Sequence, residues 1–132
     1  MQGTYNKDLL TRFTNASGST ALGTSDNLSA TARTLAAAKT KYTLYILKIA
    51  VQVLTDNAAT LSFRGATSST PVVAATKVSP GIGPIVFEFP GDGRPLDEGE
   101  AFELANSGAG LGADITWEAY YRPTGVMVPS QI

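Results

Sequence analysis

The longest apolar run in the chain is Tyr42 to Leu54, YTLYILKIAVQVL. Read at period two, it sets Thr43, Tyr45, Leu47, Ile49, Val51 and Val53 on one face and Tyr42, Leu44, Ile46, Lys48, Ala50, Gln52 and Leu54 on the other. The first face is nearly all core material and the second is mixed. β-Branched and aromatic residues dominate and no Gly or Pro interrupts, so the run predicts a long strand with its Tyr45-to-Val53 face buried. A membrane span is excluded by the length of the run and by Lys48 within it.

Shorter alternations surround this strand. ATLSFR (59–64) turns Ala59, Leu61 and Phe63 inward, and the Thr55-Asp56-Asn57 turn ahead of it predicts a hairpin with the long strand. Pro71 opens VVAATKV, where a proline suits the first residue of a strand. Beyond the rigid SPGIGP turn, IVFEF aligns Ile85, Phe87 and Phe89 on one face, with Val86 and Glu88 on the other. The dense turn chemistry of Pro90 to Pro95 and the LDEGE segment lead to AFELANS, with Phe102 and Leu104 inward and Glu103 outward. ADITWEAYYR (113–122) alternates strictly, with Ala113, Ile115, Trp117, Ala119 and Tyr121 on one face. Near the front, Leu35 to Ala38 reads as a first strand in preference to a short helix. Six or seven strands spaced by Gly and Pro turns, with no long helix, predict an all-β fold, an antiparallel β-sandwich of jelly-roll-like form.

From Thr14 to Thr31, twelve of eighteen residues are Ser, Thr, Asn or Gly, too few apolar groups to offset the entropy of ordering unless something else holds the segment. The organisation expected is therefore an extended N-terminal arm over 1–39, a sandwich domain over 40–125 and a short tail over 126–132. Within the arm, Leu9, Leu10 and Phe13 are expected to form an anchoring patch or one helical turn able to order against a partner, the alternative being a floppy tail.

Composition narrows the chemistry. The chain of 132 residues balances 10 basic against 11 acidic side chains, which leaves no global field for nucleic acid or a membrane surface. It contains no Cys and no His, so neither a Ser-His or Cys-His nucleophile nor a zinc site of the usual ligands can be assembled. MQGTYNKDLL does not read as a signal peptide, so the sequons at Asn15 and Asn27 are expected to be ordinary loop positions. Asp92, Asp97, Glu98 and Glu100 cluster in a loop, but their spacing departs from an EF-hand and a solvated turn explains them. The same carboxylates would need a groove with substrate-binding aromatics to serve a glycosidase. Asn106 to Gly112 is glycine-rich but lacks the Lys-Ser or Lys-Thr of a phosphate loop. Lys48 is expected to reach solvent or pair with Glu103 or Glu118. Trp117 and Tyr121 share the apolar face and read as core, which leaves Tyr42 and Tyr120 as candidates for an exposed contact surface. No cofactor, metal or catalytic residue is expected.

The segments YILKIAVQVLTD, GIGPIVFEFPGDG, LDEGEAFEL and EAYYRPT, with the small-residue loop before the last, resemble the small head decoration, or cement, proteins of tailed bacteriophages. The likeness covers Tyr42 to Thr124, and its motifs are structural. It implies a jelly-roll-like domain that assembles, usually as a homotrimer, on the outer surface of an icosahedral capsid and stabilises it by clamping major capsid protein subunits. Under that expectation Leu9, Leu10, Arg12, Phe13, Tyr42 and Tyr120 are the partner-binding residues. The alternative is a carbohydrate- or receptor-binding sandwich that uses Tyr120, Tyr42 and the loop from Asp92 to Glu100.

Overall fold

The structure, a computed structural model, describes residues 14–23, 32–54, 59–69, 71–78, 83–106 and 112–123. Two antiparallel sheets face one another, as the periodicity predicts. The first is built on β4 (Tyr42–Val53) and β10 (Ala113–Pro123), paired along their whole length. Its edges are split: β1 (Thr14–Asn15) and β2 (Gly18–Leu22) both lie against β10, while β7 (Ile85–Glu88) and β8 (Arg94–Pro95) both lie against β4. The second sheet runs in the order β3 (Arg33–Ala36), β9 (Phe102–Asn106), β5 (Ala59–Gly65), β6 (Pro71–Val78).

Three expectations change here. The hairpin of β4 with β5 does not form: the two strands belong to different sheets, and β5 pairs with β6 and β9 instead. The stretch read as an arm ahead of the sandwich supplies β1, β2 and β3 to it. Trp117 of β10 holds that stretch, its indole Nε1–H donating to the Ala16 carbonyl at 2.9 Å and its ring packing on Gly18, where a Cβ would lie 2.7 Å from it. The buried face of β4 is the third change. Glu118 stands opposite Lys48 but Ala119 opposite Ile46, so Leu47 is an extra residue on β4. A bulge of this kind reverses the alternation. Leu44 and Ile46 therefore point inward on one side of it and Ile49, Val51 and Val53 on the other, while Tyr45 leaves the core.

The core lies between the sheets, with Leu44, Ile46, Ile49, Ile115 and Trp117 from one meeting Leu61, Phe63, Phe102 and Leu104 from the other. Phe102 joins them, its ring 6.0 Å from Phe63 and 6.4 Å from Trp117. Tyr121 packs against this cluster, and Phe87 and Phe89 reach it from the edge. Arg33 ties the sheets along one side, its guanidinium donating to the Thr20 hydroxyl and the Ala21 carbonyl at 3.0 Å each. On the outside of the second sheet, Glu103 pairs with Arg64 at 2.7 Å and not with Lys48. Among the described residues no helix is long and apolar enough to cross a membrane. The turns at 55–57, 79–82 and 107–111, the sequon at Asn27 and the tail lie outside the described residues.

Candidate functional site

Four of the chain's five tyrosines gather where the start of β4 meets the end of β10. Tyr45 and Tyr120 are cross-strand partners on the outer face, their rings stacked at 5.3 Å and 11°. The Tyr120 hydroxyl donates to the Asp92 carbonyl at 2.9 Å. Arg122 lies over the Tyr45 ring at 5.6 Å and 3.8 Å from the exposed Asp92 carboxylate, a surface pair of small energetic weight. Burial, then the Asp92 charge, pushes the Tyr120 hydroxyl above its ordinary value, against the opposing pull of Arg122.

Tyr42 belongs to the other side of the same sheet. It meets Tyr121 edge-on, with centroids 6.4 Å apart, and the Lys39 ammonium sits 4.1 Å from its ring centre and 5.3 Å from that of Tyr121. The Tyr121 hydroxyl donates to the Ala37 carbonyl, which fastens the segment after β3 to β10. Tyr42 and Tyr120 thus do not form one surface: Tyr45, the partner of Tyr120, lies three positions after Tyr42, an odd offset that turns the two opposite ways. Leu9, Leu10, Arg12 and Phe13 lie outside the described residues.

The carboxylate loop is not the uniformly solvated turn that its composition suggests. Asp97 and Glu98 are exposed, but Glu100 is buried. Its carboxylate accepts from the Thr67 N–H at 2.8 Å, the Ser68 N–H and the Ser68 hydroxyl at 2.8 Å, and it packs where a Cβ on Gly65 would lie 2.6 Å away. Burial alone would raise its pKa, but the hydrogen bonds from Ser68, Thr67 and the Asp97 backbone together hold it below the ordinary value. Glu100 is a structural plug between loops. Among the described residues no group of three or more Asp and Glu is placed to hold a metal ion.

The sequence reads Tyr45 and Leu47 as core, Glu118 only as a possible partner of Lys48 and Asn15 as a loop sequon, and the register brings all four to the outer face. The bulge sets Leu47 and Lys48 side by side there, between Glu118 on β10 and Glu88 on β7. Opposite the bulge, β4 advances two positions, from Ile46 to Lys48, while the edge advances six, from Glu88 to Arg94. The excess forms the Pro90–Gly93 turn. Gly93 has a φ of 92° and sits where a Cβ would come within 2.6 Å of the Ile46 carbonyl, so no other residue fits. No protein-family model and no curated protein matches the chain.

Proposed function

We propose that this chain is a non-enzymatic virion protein, a capsid decoration protein that binds the outside of a tailed-phage head and stabilises it by clamping major capsid protein subunits, itself assembled as a homotrimer. The observation that carries the reading is where the decoration-like segments fall. YILKIAVQVLTD contains most of β4, GIGPIVFEFPGDG contains β7 and its turn, and EAYYRPT ends β10, so the three supply adjacent strands of one sheet, while LDEGEAFEL leads into β9. Strand order supports it too. With β1 joined to β2 and β7 to β8, the described residues make eight segments, ordered 1-8-3-6 and 2-7-4-5, the winding expected of a jelly roll.

The clamp in this reading is the segment before Thr14, with Leu9, Leu10, Arg12 and Phe13, together with the tyrosine end from which it leaves. Ordering such a segment costs several kcal/mol, offset by the area it covers. Trimeric attachment then multiplies weak contacts into lasting ones. The reading assigns no cofactor, nucleic acid or membrane. Removing residues 1–13 tests it, because a longer deletion would take Ala16 and Gly18 from Trp117 and unfold the first sheet. Co-sedimentation with phage heads stripped of decoration should show binding by the full chain and weakened binding by the truncated one. No binding by the full chain would sink the reading; equal binding by both would remove the arm from it.

A further inference from the structure

The outer face of the first sheet is uneven in a regular way. Among the described residues Leu54 and Val86 are the large apolar side chains left exposed, at 59% and 49%. Both stand on the β4 and β7 side of this face. Val86 is the partner of Ala50, and Leu54 follows Ala50 by an even offset, kept in line by its N–H bond to the Gly112 carbonyl. The β10 and β2 side is low instead, with a hollow of about 410 Å³ over Ser19, Ala21, Asp114 and Thr116. Charge is divided in the same way. Lys48 on β4 stands beside Glu118 on β10, and Gln52 beside Asp114.

A second copy of the chain fits such a face. Let it be turned about a twofold axis that lies between the two facing sheets and runs along the strands, midway between β4 and β10. Then β4 of one copy covers β10 of the other, and β7 covers β2. Each residue meets the second copy's version of its own cross-strand neighbour, and every contact occurs twice. Val86 enters the hollow over the second copy's Ser19, the Lys48 ammonium meets Glu118, and the Gln52 amide meets Asp114. At the usual crossing of about 30° between packed sheets, the rows from Lys48 to Gln52 stay within reach of one another. The edge beside this face is closed to strand addition. The Phe89 N–H points to Leu47, so the alternate positions face away from β4, and Pro84 and Pro90 among them have no N–H to give. Four strands wide, and running from Lys48 to Leu54, the face measures about 19 Å by about 20 Å. That is below the roughly 800 Å² per partner of a standard interface, so the pair is weak and forms as concentration rises.

We propose that two copies of the chain pair face to face through the first sheet, β4 of each over β10 of the other. This goes beyond the capsid reading, whose threefold contact is a separate one, and either can fail alone. Because the chain contains no cysteine, introduced cysteines report the pairing directly. Val86→Cys and Ser19→Cys, both at exposed positions, should form a disulfide-linked pair when the two variants are mixed and oxidised. Neither variant should cross-link alone, because like positions lie about 14 Å apart across the axis. In sedimentation equilibrium the full chain should show a reversible doubling of mass. Lys48→Glu should weaken that doubling about tenfold, since the substitution acts twice, and the exchange Lys48→Glu with Glu118→Lys should restore it. No cross-link in the mixture, equal cross-linking by one variant alone, or a doubling indifferent to Lys48→Glu would overturn the proposal.

Discussion

Replacing Glu100 by alanine takes the acceptor away from three donors at once: the N–H groups of Thr67 and Ser68 and the Ser68 hydroxyl. A hydrogen bond to a charged group contributes ~1.5–3 kcal/mol, but a simple sum over three overstates the effect. Thr67 and Ser68 are exposed, so water can reach their donors once the carboxylate has gone. A loss of about 2–3 kcal/mol follows, read as a lower urea midpoint at unchanged slope. Gln is the informative companion, because its amide oxygen replaces one acceptor while its NH₂ meets Ser68 Oγ and the packing over Gly65. Glu100→Gln should therefore lose less than Glu100→Ala. The pH dependence has a definite sign: a carboxyl held below its ordinary 4.5 contributes fully above that value and loses its contribution as pH falls through the folded pKa. The gap between wild type and Glu100→Ala should be flat above about pH 5 and narrow below pH 4.5. A gap under ~0.5 kcal/mol at pH 7, or one that widens in acid, would refute the plug.

Gly18→Ala would drive a methyl into the Trp117 ring, 2.7 Å away, and should cost about 1–3 kcal/mol with a changed Trp emission maximum. Deleting Leu47 removes the bulge and forces either Leu44 and Ile46 or Ile49, Val51 and Val53 out of the core. That deletion should abolish cooperative thermal unfolding, whereas Leu47→Ser should keep the fold. Arg33→Ala should lower stability by ~1 kcal/mol in chemical denaturation, as the links to Thr20 and Ala21 are lost. Burial raises the hydroxyls of both Tyr120 and Tyr121, so spectrophotometric titration should find two tyrosines ionising above 10.0, with native stability falling as pH rises past that value.

Much of the architecture is written at period two. β5, β6, β7, β9 and β10 lie where alternation and turn residues put them, and the inward set of Ile115, Trp117 and Ala119 follows from ADITWEAYYR alone. The bulge at Leu47 is different, because both faces of β4 carry large apolar groups and a reversal of parity leaves no trace in such a pattern. β1 and β2 were hidden for the opposite reason: their polar residues bury little themselves and depend on Trp117, about a hundred residues downstream. Glu100 has the composition of a solvated turn, and only the fold reveals that Gly65 leaves room for its carboxylate. Tyr120 was legible as an outward-facing residue, but its pairing with Tyr45 and not Tyr42 required the register.

The position of β10 carries a kinetic consequence. This strand lies between β1 and β2 on one side and β4 on the other, and the Trp117 bond to Ala16 closes a loop of 101 positions. During synthesis, β1, β2 and β4 would wait without their shared neighbour until β10 emerges. Such long-range closure slows folding and leaves open sheet edges exposed meanwhile, so the nascent chain is most vulnerable to aggregation just before β10 is made.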